Sequence, residues 1–167
     1  CWLLKNEVME NGRGIWPYQY SVDFRGDVIQ PPWVCSFGQS YAALAFLLWF
    51  QHSQNSEYLE AACRAMRTVV TPLAAGGTKS FLGRGVFFEE LPNDTHIFNA
   101  HLLSLIVLHK LYQCGVVEFQ NDFQEGIIGF EYLASFMDSG NWSNYDVPKF
   151  FDRQFQCRLS RNLKELL

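Results

Sequence analysis

The chain has 167 residues, of which 49% are hydrophobic and 16% aromatic, and its formal net charge is -4. This composition predicts a folded domain with a sizeable core and excludes a disordered tail. Because Lys and Arg do not cluster, it also argues against a nucleic-acid partner. The most apolar stretch, residues 41–50, is about half the length that crosses a bilayer, and no charged-then-apolar leader opens the chain. We therefore expect a soluble domain without membrane insertion.

The first part of the chain predicts a helix end, an extended segment and a helical hairpin. Residues 1–9 resemble the end of a helix without its beginning, and residues 15–24 carry aromatic side chains at period two, as in a strand or extended loop. Residues 36–51 have a helical apolar pattern. A second helix begins at Asn55 or Ser56, either of which can cap it. The short polar connection between the two helices predicts an antiparallel hairpin.

The second part predicts a small β-hairpin followed by another pair of helices. Residues 78–90 contain glycines between aromatic residues, a pattern typical of a β-hairpin. Helical apolar periodicity then covers residues 96–114 and 119–137. The two helix pairs begin about sixty residues apart, which indicates a repeated unit. We predict a mainly α fold: an incomplete (α/α) toroid or barrel of antiparallel helix hairpins, with residues 1–167 forming a single helical domain of a larger chain.

The five cysteines are widely spaced and form no close pair of the kind that binds zinc. Cys63 lies in the apolar stripe of a helix, where we expect it to be a small buried hydrophobe. The cysteines leave the cellular compartment open. The sequence has no HxxxH, GxSxG or phosphate-binding glycine loop, so we expect neither a metal nor a cofactor, and neither serine nucleophile chemistry nor nucleotide binding.

Aromatic and polar residues concentrate in the predicted loops, where toroids of helix hairpins commonly place their sites. Aromatic rings beside carboxylates and amides suit a sugar, although the same rings can simply close the ends of a core. Cations that could line a cleft, each of which can also be an ordinary solvated charge, are Arg13, Arg25, Lys79 and Arg84.

The adjacent acids Glu89 and Glu90 are the unusual feature of these loops. In an extended segment they point to opposite faces, so one can be buried while the other remains exposed to solvent. Their pKa values can then differ. The alternative is two solvated acids, or one acid placed at a helix N-terminus. His96 can carry a proton or act as a hydrogen-bonding spacer, whereas we expect His101 and His109 at the surface or core edge.

Seven motifs along the chain occur in the order and at the spacing of one enzyme family. They are Gly14-Ile15-Trp16, the run from Pro31 to Gln39, the helix from Tyr58 to Ala62, Gly76-Gly77, Phe88-Glu89-Glu90-Leu91-Pro92, His96-Ile97-Phe98-Asn99, and Asn141-Trp142-Ser143-Asn144-Tyr145-Asp146. Together they resemble the C-terminal domain of the D-glucuronyl C5-epimerases over roughly residues 2–146.

The resemblance implies an isomerase that acts on a uronic-acid polysaccharide and converts D-glucuronate to L-iduronate in heparosan-like chains. Epimerisation removes the C5 proton beside the carboxylate and returns a proton to the other face. It therefore needs a base and an acid on opposite sides of the ring, and donors or cations that stabilise the intermediate. Several family members pair as dimers, so a homodimer is consistent with the resemblance.

The predicted site residues follow from position in these motifs. Glu89 and Glu90 fall in the family's Glu-Glu-Tyr-Pro motif, and Tyr145 matches the tyrosine of its Tyr-Asp motif, where tyrosines are implicated in proton transfer. We predict these three residues to be catalytic. The residues predicted to bind substrate are Trp16, Tyr18, Trp33, Gln39, Arg84, His96, Asn99 and Trp142.

Two departures from the family pattern leave alternatives open. Leu91 stands where the family has a tyrosine, and no phenol lies beside it in the sequence. Residues 148–167 contain no histidine, although the family continues there toward a Tyr-His helix. The chain can therefore work with a changed catalytic set, or be a non-catalytic glycan-binding or structural domain. A polysaccharide lyase, which begins with the same proton abstraction, is the third reading.

Overall fold

The computed structural model describes residues 1–137 and 145–147. Within these residues the chain is mainly helical, as predicted, whereas the closure of the helices into a toroid remains a prediction. None of the described helices is long and apolar enough to span a membrane. The helices are α1 (Trp2–Lys5), α2 (Ser36–Ser53), α3 (Ser56–Val70), α4 (Phe98–Gln113) and α5 (Gln120–Met137), with one 3-10 turn at Leu73–Ala75.

Three two-stranded antiparallel hairpins complete the described structure. They are β1 (Val8–Glu10) with β2 (Arg13–Ile15), β3 (Val22–Phe24) with β4 (Asp27–Ile29), and β5 (Lys79–Phe81) with β6 (Val86–Phe88). The third hairpin confirms the prediction for residues 78–90. The first two were not predicted, and both have a two-residue turn ending in glycine.

The prediction of a helix end over residues 1–9 is wrong beyond Lys5. Val8–Glu10 form a strand because Asn11 and Gly12 adopt φ values of 51° and 77° and turn the chain back. Two consecutive residues at positive φ form the turn that best matches the twist of a hairpin, and Asn-Gly is its preferred sequence. The Asn11-Gly12 turn sequence therefore indicated a hairpin, but the apolar residues before it favoured a helix.

Helices α2 and α3 form the predicted hairpin. Gln54 adopts φ 54° and ends α2, and the Asn55 side chain accepts a hydrogen bond of 3.0 Å from the Glu57 amide, as expected of an N-cap. Phe46 and Met66 are fully buried between them. Cys63 is 7% exposed, so its predicted burial is confirmed.

Helix α4 packs against α2 through small residues. Ala43 and Ala100 are fully buried, and the hydroxyls of Ser40 and Ser104 lie 2.9 Å apart, so the helix backbones approach closely. The helix begins at Phe98, two residues later than predicted. His96 stands before it with φ 54°, a conformation outside the helical region.

The hairpin β5–β6 is held between α4 and α5. A Cβ at Gly129 would lie 2.0 Å from the carbonyl oxygen of Val86, so only glycine permits this approach of α5 to β6. On the other side, His101 accepts a hydrogen bond from the Phe88 amide at Nδ1 (3.0 Å), and its Nε2 donates to the Gly126 carbonyl (3.0 Å). These contacts fix the end of β6, from which Glu89 and Glu90 follow.

The expectation that His101 lies at the surface or core edge is wrong. The side chain is fully buried, and burial lowers its pKa to about 4. The imidazole is therefore neutral at physiological pH, with one nitrogen as acceptor and the other as donor. The sequence around His101 shows only a helical apolar pattern. It does not reveal that His101 joins β6 to α5, because both hydrogen-bond partners are distant along the chain.

Candidate functional site

Glu89 is a buried acid whose partners are all provided by the protein. Its side chain is 1% exposed. The carboxylate accepts hydrogen bonds from the Ser80 hydroxyl and from the His96 amide (2.9 Å), and one oxygen lies 2.7 Å from His96 Nδ1. Buried charge is costly unless such partners surround it. The Glu89 carboxylate thus connects β5 to the turn that leads into α4.

His96 is held in this turn by its contacts with Glu89. A histidine at φ 54° is in the left-handed region, which costs energy unless the surroundings impose it. Glu89 binds both the backbone amide and the ring of His96, and this imposes the conformation. The spacer role that the sequence left open is therefore the one that the contacts support.

Glu90 is half-buried, and its environment differs from that of Glu89. Its Oε2 atom is inaccessible to solvent and has no hydrogen-bond partner among the described residues. Burial raises the pKa of this carboxyl, and a hydrogen bond from the Tyr145 hydroxyl partly offsets the rise. An orphaned acid oxygen beside a phenol is an arrangement suited to proton transfer.

Tyr145 reaches Glu90 because residues 145–147 dock onto the N-terminal end of α4. The Phe98 amide donates to the Tyr145 carbonyl (3.4 Å), and the Val147 amide donates to the His96 carbonyl (3.3 Å). Asp146, which lies between them, is buried and binds Arg25 at 2.6 Å. Like Glu90, it keeps one buried oxygen without a partner among the described residues.

Asn99 completes an array of three side chains. Burial and the Glu90 charge raise the pKa of Tyr145, and a hydrogen bond from the Asn99 side chain partly offsets the rise. The Tyr145 hydroxyl therefore interacts with both the Asn99 side chain and the Glu90 carboxyl. The Tyr145 side chain is 55% exposed, so the array opens to water.

A second phenol, Tyr18, interacts electrostatically with Glu90. Tyr18 forms a hydrogen bond with the Cys35 thiol, and it packs in the same apolar cluster as Leu91. Burial raises the pKa of Tyr18 to about 12 and that of Cys35 to about 11, and the Glu90 charge adds to both shifts. The sequence shows no phenol beside Leu91, but the fold brings Tyr18, from the segment after β2, into the same cluster.

Trp16, Gln39 and Trp33, which the sequence predicted to bind substrate, hold the loops together. The Trp16 amide donates to Gln39 Oε1 (3.3 Å), and Gln39 Nε2 donates to the Gly14 carbonyl (3.1 Å). Trp33 is 8% exposed and stacks on Tyr18. Their contacts with a substrate stay predictions.

The other candidates are dispersed. Arg84 is exposed in the β5–β6 turn. Trp142 lies outside the described residues. Arg13 binds Glu10 and the Ala75 carbonyl, and Lys79 binds Asp122 at 2.8 Å, so both are engaged in structural contacts. Of the four cations considered, Arg25 is the one that reaches the array, through Asp146.

Two residues of this region were not predicted as site residues. Asp146 could have been found, because it is the second residue of the Tyr-Asp motif. Cys35 carries no such signal, since it precedes α2 among apolar residues and gains its partner only by folding. Within the described residues no group of His, Cys, Asp and Glu could hold a metal ion.

The structure also contains a hollow of about 620 Å³ that neither Glu90 nor Tyr145 lines. It lies among the first two hairpins and the glycine turn after α3. Its walls include Pro17, Gln19, Gln30, Trp33 and Gly77. Trp33 belongs both to this hollow and to the Tyr18 stack, so the two regions adjoin.

Fold and site together define a helical domain with a carboxyl–phenol–amide array at the N-terminal end of one helix. The family profile described as D-glucuronyl C5-epimerase C-terminus matches residues 10–160. The chain belongs to this family, as the motifs indicated.

A curated relative supports the assignment. The D-glucuronyl C5-epimerase of Caenorhabditis elegans is 26% identical over 163 residues, which cover 87% of this chain and 26% of that protein. The chain thus spans about a quarter of the length of this relative.

Proposed function

We propose that this domain takes part in the C5-epimerisation of D-glucuronate to L-iduronate within a heparosan-like polysaccharide. The observation that carries the proposal is the array of Glu90, Tyr145 and Asn99, in which a half-buried acid with an unpaired oxygen faces a water-exposed phenol. Membership of the C5-epimerase family supports the substrate class.

Glu90 is the proposed base for the C5 proton. Burial raises its pKa, which makes its carboxylate a stronger base than that of an exposed acid. Glu89 is less suited to this role, because Ser80 and His96 occupy its oxygens. The two adjacent acids then have separate tasks, one chemical and one structural.

Tyr145 orients the Glu90 carboxylate and passes the abstracted proton to water. It hydrogen-bonds to that carboxylate and is itself exposed, so it connects the buried acid to solvent. Asn99 provides a second hydrogen-bond partner for the phenol. A Tyr145→Phe change keeps the ring and removes the connection.

Arg25 is the proposed counter-charge for the substrate carboxylate. Proton loss at C5 spreads negative charge over that carboxylate, and a nearby cation stabilises it. The Arg25 side chain is 57% exposed and is anchored by Asp146, next to Tyr145. A guanidinium has five N–H donors, so this ion pair leaves donors for a ligand.

The proposal is tested by hydrogen isotope exchange at C5 of the substrate, with the full-length protein as the catalyst. The protein is incubated with desulfated uronic-acid polymers in deuterated water, and deuterium at C5 is measured by mass spectrometry. Label at C5 with new iduronate supports the proposal. Chain shortening with new ultraviolet absorbance would indicate a lyase, and binding without either reaction would indicate a glycan-binding domain.

A matched pair of variants connects the result to the array. Tyr145→Phe should abolish label exchange while helix content, measured by circular dichroism, is unchanged. Tyr112→Phe, an exposed tyrosine near the other end of α4, should leave exchange intact. Retained exchange in Tyr145→Phe would remove Tyr145 from the mechanism.

A further inference from the structure

The connection between β6 and α4 carries a short motif that the proposed chemistry does not use. Asn93-Asp94-Thr95 fits the triplet Asn-x-Ser/Thr, whose asparagine accepts N-linked oligosaccharides in the secretory pathway. Asn141-Trp142-Ser143 also fits the triplet, but it lies outside the described residues. Because a triplet this short recurs by chance, its place in the fold decides whether Asn93 can carry a glycan.

Asn93 lies in a surface turn. Residues 92–94 form this turn, in which Pro92 and Asp94 are exposed and Asn93 is half-buried. Asp94 adopts φ 54°, in the left-handed region, and so reverses the chain at the tip of the turn. A surface turn can accept a bulky, hydrated group because no core packing has to give way. The setting is therefore the one that a glycan-bearing asparagine requires.

The contacts of the Asn93 amide are compatible with an attached sugar. Its oxygen accepts a hydrogen bond from the Thr95 hydroxyl, and its nitrogen donates to the Asp27 carboxylate at 3.4 Å. A side-chain amide nitrogen carries two hydrogens, and a glycan replaces one of them. The remaining N–H can still donate to Asp27, and the oxygen can still accept from Thr95. The fold thus keeps both contacts after modification.

Thr95 links the motif to the geometry of the turn. Its side chain is 6% exposed, and its hydroxyl, the group that the triplet requires at its third position, meets the Asn93 oxygen. Asn121-Asp122-Phe123, at the start of α5, begins with the same two residues but has no hydroxyl at the third. Asn121 is exposed, so it provides a matched comparison within the same chain.

We propose that Asn93 is an N-glycosylation site and that the chain therefore passes through the lumen of the secretory pathway. The donor is an oligosaccharide linked to a lipid diphosphate. The Asn93 Nδ2 atom forms a bond to C1 of the first sugar as the bond from C1 to the diphosphate oxygen breaks. Nδ2 gives up one proton, and the lipid diphosphate leaves. This modification goes beyond the proposed epimerisation and does not depend on it.

The proposal is tested by translating the full-length protein in the presence of endoplasmic-reticulum microsomes. Trypsin releases residues 85–110 as one peptide, which contains Asn93 but not Asn141. A peptide N-glycosidase acting in heavy-oxygen water then converts each glycan-bearing asparagine into a labelled aspartate, which tandem mass spectrometry locates. We expect the label at position 93.

Two variants should abolish the label and two should retain it. Asn93→Gln removes the acceptor, and Thr95→Val removes the hydroxyl while keeping nearly the same size. Thr95→Ser keeps the hydroxyl and therefore the triplet, so the label should remain at Asn93. Asn121→Gln, in the matched dipeptide, should leave the label at Asn93 unchanged.

Each result decides the assignment. An unlabelled Asn93 in protein that has entered the microsomes would overturn it. Protein that stays outside the microsomes, and is degraded by an added protease, would overturn it as well, because it never meets the transferase. Label at Asn93 in Thr95→Val would show a modification independent of the triplet and would also count against the site. Label that follows the four variants as expected supports it.

Discussion

The regions on the two sides of the Glu89–Glu90 peptide bond differ in how completely their polar groups are paired. On the Glu89 side, the carboxylate is closed off by Ser80 and His96. On the Glu90 side, one oxygen is buried without a partner among the described residues, and an exposed phenol stands next to it. The same residue type thus has its carboxylate fully paired at one position and keeps an unpaired oxygen at the next.

The difference follows from where each backbone position faces. The Glu89 carboxylate binds Ser80 of β5 and His96 in the turn before α4, whereas the Glu90 carboxyl interacts with Tyr145. Satisfied buried charges contribute to structure, and unsatisfied ones mark places where a ligand can provide the missing partner. The comparison can be tested by making the same substitution at both positions.

The largest effect is expected for Glu90→Gln. Removal of the base should lower the rate of C5 deuterium exchange by on the order of 10²–10⁴-fold, the usual contribution of a positioned acid or base. Stability toward urea should stay the same or rise slightly, because a half-buried charge with an unpaired oxygen is removed. Exchange near the unmodified rate would show that the two sides do not differ in the expected way.

The matched change, Glu89→Gln, should act on folding. A neutral amide cannot accept every hydrogen bond that this carboxylate accepts, and one buried donor of Ser80 or His96 is left unpaired. We expect a loss of about 3 kcal/mol in the free energy of unfolding, measured in urea. A stable Glu89→Gln protein without exchange activity would instead place Glu89 in the chemistry.

The smallest effect concerns His101, which holds the strand that bears both acids. Its pKa is lower in the folded protein, about 4, than its ordinary value of 6.5, so the unfolded chain binds more protons between these values. Stability should therefore fall as pH drops from about 6.5 to 4, by roughly 2 kcal/mol.

Comparison with matched variants isolates this contribution from other titrating groups. His101→Gln should reduce the slope of unfolding free energy against pH in that window. His109→Gln, an exposed histidine on the same helix, should leave the slope unchanged. Equal slopes in all three proteins would show that His101 does not titrate differently in the folded state.

The sequence by itself determined the elements that depend on local pattern. The helices α2, α3, α4 and α5 follow apolar periodicity and capping, and their ends agree with the predictions within about two residues. The β5–β6 hairpin follows from glycine spacing, whereas strand alternation left open whether the two acids differ. Family membership was also predicted, because the order of short sequence motifs can be recognised without the fold.

Only the tertiary structure decided which side chains meet. Tyr18, Cys35, Glu90, Asn99 and Tyr145 come from separate elements, and no local pattern encodes their approach. His101 has an ordinary helical position, and its burial depends on β6 and α5 packing around it. The physical reason is that periodicity reports which face of an element is buried, whereas the partners on that face depend on how distant elements pack.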